Sequence, residues 1–429
     1  MLTSWLLVVF LGIICQGSTF WIRPYPFTTN LENAMRVVYQ WRYIDFDFES
    51  EARRQAAISS GEYNYTAGNP IDVDRWRNLT FVTVIRAEGV PSSLNVISDK
   101  RGPGGPLLAP YPNWNWASPQ NCSNIISVYR VSIDRCDRLW VLDTGVIDDN
   151  HVCPAKLVVF DLTTSQLLQR IEIPRDIAIN STLGRGLLVT PAVQTFDSDC
   201  DRTYVYIADA DGYGLIVYDG NSFRRLTSSA FDFDPRYVNY TIEGQTFQLQ
   251  DGIVGMAVSP LTNNLYFSPM TSHNLDYVST YQLNQLQGDQ VQYQVAQDIL
   301  WTQSSAKAVS RSGAVFFGLV SDTSIGCWNE FRSLSRQNIR LVARNRQTLQ
   351  FTSGLKVKDC HGKENLWAMT NKFQRIATGT LNYDDVNFQI LVGDVERLIR
   401  DTRKTKKEKK RKEREKGGKK RKGILPRDN

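Results

Sequence analysis

The sequence predicts an all-β chain, a single six-bladed β-propeller, on three observations. A strand motif recurs six times, as Leu79-Thr-Phe-Val-Thr-Val, Leu139-Trp-Val-Leu-Asp-Thr, Tyr204-Val-Tyr-Ile-Ala-Asp, Leu265-Tyr-Phe-Ser-Pro-Met, Ala314-Val-Phe-Phe-Gly-Leu and Leu366-Trp-Ala-Met-Thr-Asn, with starts 60, 65, 61, 49 and 52 residues apart. Several copies are apolar on both faces, the mark of strands covered by sheets on either side, whereas a half-exposed sheet alternates. Long helical periodicity is largely missing before the C-terminal tail. Repeats of this length with about four strands each read as propeller blades with room for surface loops, and a two-domain sandwich has no need of so regular a period.

Taken from the N-terminus, the first element is an export signal over residues 1–17. Leu6 to Ile14 is an almost unbroken apolar run, too short to span a bilayer, and Cys15 and Gly17 supply small residues for cleavage after Gly17. Met1 to Trp5 lacks the usual basic residue. Arg36-Val-Val-Tyr-Gln-Trp follows as a strand expected to pair with the last blade and close the ring, since closure removes an edge that invites aggregation. The propeller domain is expected over residues 18–402. Most copies of the motif are followed, after an Asp, Gly or Asn turn, by another short strand such as Leu157-Val-Val-Phe-Asp or Gly214-Leu-Ile-Val-Tyr-Asp.

Cysteines and sequons agree with export to the extracellular space. Beyond the leader stand Cys122, Cys136, Cys153, Cys200, Cys327 and Cys360, an even six without a CxxC pair, which read as three disulfides of unspecified pairing. Asn64, Asn78, Asn121, Asn180 and Asn239 each open an N-x-S/T triplet and are candidate glycosylation sites. No other stretch is apolar for long enough to span a membrane.

The last element is a basic low-complexity tail, residues 403–429. Arg403 to Lys422 holds 14 Lys or Arg against three Glu, a net of +11, while the remainder of the chain is acidic at −5. With nothing to bury, the tail is expected to be disordered or a frayed helix. Export argues against a nuclear or nucleic-acid role, so the partner expected for it is an acidic extracellular matrix held by charge.

The strings Val38-Tyr-Gln-Trp-Arg-Tyr-Ile-Asp-Phe, Gly89-Val-Pro-Ser-Ser-Leu, Pro110-Tyr-Pro-Asn-Trp, Val128-Tyr-Arg-Val-Ser-Ile-Asp-Arg-Cys-Asp-Arg-Leu-Trp-Val-Leu-Asp-Thr-Gly, Lys156-Leu-Val-Val-Phe-Asp-Leu, Gly326-Cys-Trp-Asn and Asn387-Phe-Gln-Ile-Leu resemble the yellow/major royal jelly proteins of insects. The likeness runs in order from about Met35 to Leu391. It implies a six-bladed propeller, and it implies pairing of Cys136 with Cys200; Cys122 with Cys153 is inferred beside it, leaving Cys327 with Cys360. The basic tail departs from the family pattern. The roles the resemblance offers are melanin-pathway pigmentation, including dopachrome conversion of tautomerase or decarboxylase type, cuticle or eggshell matrix, nutrition, and amine scavenging. An extracellular pigmentation or matrix protein with ligand-binding capacity is the preferred expectation, with the dopachrome-converting enzyme as the first alternative.

Catalytic apparatus does not stand out. His151, His273 and His361 lack HExxH spacing, and no GxSxG elbow or Walker loop occurs. Salivary relatives hold biogenic amines in the channel, and that resemblance transfers to Phe351 and Phe373 as aromatic faces, Asn371 as an orienting amide, and Ser353 as a hydroxyl where those relatives have Thr. The bland reading of the two rings is core. Asp143, Asp209 and Asp211 close strands or turns; as oxygen ligands they would suit calcium in a lactonase-like hydrolase, the second alternative, and as turn formers they would bond local amides. No cofactor other than calcium is suggested.

Overall fold

The computed structural model describes residues 31–196, 200–286 and 290–400. The expected leader and the whole of the basic tail lie outside them. Six sheets form six blades around one axis, and each copy of the recurring motif lies in the second strand of its blade: Leu79–Val84, Arg138–Asp143, Arg202–Asp209, Asn264–Pro269, Ala314–Leu319 and Lys363–Asn371. That position explains the two-sided apolarity, because a second strand is flanked in its own sheet and covered on both faces by neighbouring blades.

The innermost strands are Pro70–Trp76, Val128–Ile133, Leu188–Phe196, Ile253–Val258, Ser304–Val309 and Phe351–Cys360, and they contact one another in a closed circuit. Each shows a shift in register against its second strand, at Asp72, Val131, Thr190, Met256, Lys307 and Gly354 in turn. Bulges bend and twist a strand, which lets six flat sheets start close to one axis. Blade 4 has three strands, its outer edge touched at Tyr277 by Gln294. The ring closes as expected: Arg36–Trp41 pairs antiparallel with Phe388–Asp394 and becomes the outer strand of blade 6.

The core is divided rather than central. Six apolar clusters occur, one at each interface between adjacent blades; that between blades 6 and 1 joins Trp41, Val73, Val82, Met369 and Phe388. Burial of this kind stabilises at about 25 cal/mol per Å² and holds the circle without a single large core.

Two disulfides form, Cys122–Cys153 and Cys136–Cys200. The third expected bond is a correction: no disulfide joins Cys327 to Cys360. Cys327 is buried in the apolar cluster between blades 5 and 6, where burial pushes its thiol up to about 12, whereas Cys360 ends an inner strand at an exposed turn. A bridge needs Cα atoms within about 7 Å and facing Cβ vectors, and a mid-strand core residue does not offer its sulfur to a hairpin tip.

No helix among the described residues is long and apolar enough to cross a membrane. Asn64, Asn78, Asn121 and Asn239 are exposed, while Asn180 is partly buried and donates its amide Nδ2 to the Gly212 carbonyl at 2.7 Å.

Candidate functional site at the channel mouth

Charged groups link the inner strands of blades 6, 1 and 2 near the axis. Asp72 and Asp74 of blade 1 meet Lys356 and Lys358 of blade 6 at 3.0 and 2.7 Å, and Lys356 Nζ donates onward to the Val131 carbonyl of blade 2 at 2.8 Å. Arg130, buried, reaches from blade 2 to the Ser353 carbonyl of blade 6 at 2.9 Å. Burial raises the Asp72 carboxyl and lowers the Arg130 guanidinium; Lys356 opposes the first shift and Asp72 the second. Such a mesh costs desolvation and is retained where it sets geometry, here the register of three blades about the axis.

Three of the four residues carried over by resemblance meet at the channel mouth, the end where the inner strands begin. Phe351 opens the inner strand of blade 6 and pairs in register with Asn371, the last residue of the second strand. Phe373 begins the short helix Phe373–Ala377, its ring 4.9 Å from Phe351 and stacked at 28°. Asn371 is buried, its Nδ2 donating to Asn69 Oδ1 at 3.3 Å and to the Pro70 carbonyl at 3.2 Å, and its Oδ1 has no partner among the described residues. A buried amide oxygen left unmatched costs about 1–3 kcal/mol unless a water or ligand donor reaches it. Ser353 differs: it is fully buried and its hydroxyl turns to the Met369 carbonyl at 3.4 Å, so it offers nothing to the mouth.

Asp251, not singled out by sequence reasoning, stands at the same end of the inner strands. It lies two residues before the inner strand of blade 4, and its carboxylate makes no hydrogen bond among the described residues, its backbone N–H alone donating to Thr271 Oγ1 at 3.1 Å. Burial, with a smaller push from Asp211 and against the pull of Arg130, raises its carboxyl to about 6. Tyr129 is within its field and is pushed up to about 12, by burial first and Asp251 second. Tyr129 and Phe373 pack against the apolar cluster containing Phe351 and Val254. The only sequence hint was an Asp-Gly step, Asp251-Gly252, just ahead of a strand.

A hairpin overhangs these residues. Its strands Asn239–Ile242 and Gln245–Gln248 leave from the blade 3 to blade 4 connection and reach blade 6, where Phe247 meets Phe373 edge-on at 5.4 Å and Gln245 Nε2 donates to Thr380 Oγ1 at 3.2 Å. Glu243 also pairs with Arg346 at 2.9 Å. Two aromatic rings, one amide and one carboxylate thus stand at the same end of the inner strands under a partial cover, Phe351 buried in the core cluster and Phe373 half-buried against it.

The aspartates weighed for calcium are taken up elsewhere. Asp143 accepts from the backbone N–H groups of Ile126, Ser127 and Gly145 and pairs with Lys156 Nζ at 2.7 Å. Asp209 accepts from Leu187 and Gly212 N–H and pairs with Arg225, while Asp211 is half-buried beside Arg185 at 3.4 Å. Among the described residues no three His, Cys, Asp or Glu are grouped to hold a metal ion. His361 sits in an exposed turn with φ of 53°.

Comparison with known proteins agrees with this architecture. The family model described as "Major royal jelly protein" matches residues 126–403. Major royal jelly protein 9 of Apis mellifera is 55% identical over 411 residues, covering 93% of this chain and 96% of the relative. Major royal jelly protein 8 of the same species is 52% identical over 93% of this chain and 98% of its own length, and major royal jelly protein 2 is 51% identical over 94% and 91%.

Proposed function

The chain belongs to the major royal jelly protein family, and from that membership we propose that it is an exported binding protein whose channel mouth holds a small aromatic amine or catechol. The relatives named for royal jelly, the two disulfides and the apolar N-terminal run support export. The observation that supports the ligand reading is Asp251, a carboxylate without a hydrogen-bond partner among the described residues, next to Tyr129 at the start of an inner strand. An ammonium would neutralise Asp251 while its ring lies against Phe351 or Phe373, and a donor on the ligand would satisfy Asn371 Oδ1.

The test is titration with serotonin or dopamine, followed by tryptophan fluorescence. Saturation is expected, and its absence at millimolar ligand would end the amine reading. The pH dependence has a definite sign. Because the Asp251 carboxyl is raised to about 6, it is charged above that pH and protonated below it, so affinity falls as pH drops through 6 and is about tenfold lower at pH 5. An Asp251→Asn variant binds weakly at every pH and loses this step.

A second reading rests on the same carboxyl. A group titrating near 6 is suited to take a proton from a catechol-derived quinone, which is how a pigmentation role or dopachrome conversion would use the pocket. Loss of dopachrome absorbance that Asp251→Asn slows would favour conversion over holding. The basic tail is proposed to adhere to acidic glycans in an extracellular matrix. Retention on heparin is expected at low salt and lost at high salt, and truncation after Asp401 should abolish it; equal retention by the truncated chain removes the idea.

A further inference from the structure

A second concavity stands apart from the channel mouth, between blades 2 and 3 on the same face. It has a volume of about 290 Å³, at the low end for small-molecule sites. Its lining is largely apolar, from Val146, Ala155, Ile173, Ala178, Ile179 and Leu188, and four polar side chains join it: Thr144, His151, Glu172 and Arg175. Neither Glu172 nor Arg175 has a side-chain hydrogen bond or ion pair with any described residue, although both line one small cleft and are exposed. Unpaired opposite charges above an apolar floor are the complement of a molecule that carries both charges at one end and a hydrophobic group at the other.

The walls are held by a disulfide and by close backbone contacts. One is the loop over residues 144–155, tied by the Cys122–Cys153 bond and folded so tightly at Gly145, φ +68°, that a Cβ there would lie 2.0 Å from the Cys153 carbonyl oxygen. The other passes through Ala178 and Gly186, where an added Cβ would lie 2.3 Å from the Ala178 carbonyl oxygen. Both glycines are required by close backbone approach, and walls so cross-braced lower the cost of ordering them around a ligand.

We propose that this cleft binds a free α-amino acid with a large apolar side chain. Its carboxylate faces Arg175, its ammonium faces Glu172, and its side chain covers Ile173, Ile179 and Leu188. The inference is independent of the amine reading of the channel.

The test is isothermal titration of the full chain with L-phenylalanine at neutral pH, beside N-acetyl-L-phenylalanine, which lacks the ammonium, and L-phenylalaninamide, which lacks the carboxylate. Saturable binding by phenylalanine is expected, with each analogue and each of Arg175→Gln and Glu172→Gln weakening it about fivefold, the upper range for an exposed ion pair. Ala155→Phe, which places a ring in the cleft, should abolish it. No saturation at millimolar phenylalanine overturns the proposal, as does an isotherm unchanged by both Arg175→Gln and Ala155→Phe. Loss on Asp251→Asn with full binding by Ala155→Phe would place the ligand in the channel and also overturns it.

Discussion

An Asp143→Ala variant is expected to lose about 3–5 kcal/mol of stability, the cost of breaking a buried pair by removing one partner. Both side chains are almost fully enclosed, with Asp143 at 0% and Lys156 at 5% exposure, so Lys156 would be left charged in the gap. The same carboxylate serves three backbone N–H groups, at Ile126, Ser127 and Gly145, and so ties the entry to the inner strand of blade 2 to the end of its second strand. Asp143→Asn keeps the shape but can match the lysine only as a neutral amide, and a smaller loss is expected. Thermal and urea unfolding of the three proteins checks both values; equal melting temperatures for wild type and Asp143→Ala would show that the pair is dispensable.

Removing the Cys136–Cys200 bond should produce the other large effect. The bond spans 64 residues and joins blade 2 to blade 3, and in the chain-entropy account a loop of that size is worth about 4 kcal/mol through restriction of the unfolded chain. Cys136→Ser with Cys200→Ser is therefore expected to unfold at markedly lower urea, with binding at the channel mouth unchanged under folding conditions. By contrast, Cys327→Ser should cost less than removal of a bridge, since it deletes none. A Cys327→Ser loss matching that of the double serine variant would contradict the assignment of two bonds.

Much of this architecture is legible in the chain because propeller blades are built from local hairpins. A second strand packed on both faces must be apolar at nearly every position, so Leu79–Val84 and Ala314–Leu319 announce themselves without any knowledge of partners. The aromatic pair Phe351 and Phe373 and the amide Asn371 came from family resemblance rather than from pattern, and they do converge. Ser353 was named with them, yet its side chain turns into its own blade at a bulge, a one-residue event that alternation cannot foretell. Asp251 carries no such signal, because a single acidic residue before a strand looks like any turn former. Only the packing of blades 2 and 3 beside blade 4 leaves it half-enclosed and unmatched.

The sequence by itself determined the number of blades, the strand that closes the ring and the cysteines available for bonding, since each depends on composition and spacing along the chain. Tertiary structure decided which cysteines meet, which aspartates are consumed by lysine and arginine, and which carboxylate is left over at the axis. The reason is physical: apolar periodicity is a property of neighbours in sequence, whereas the pairing of a charge is settled by groups that arrive from other blades.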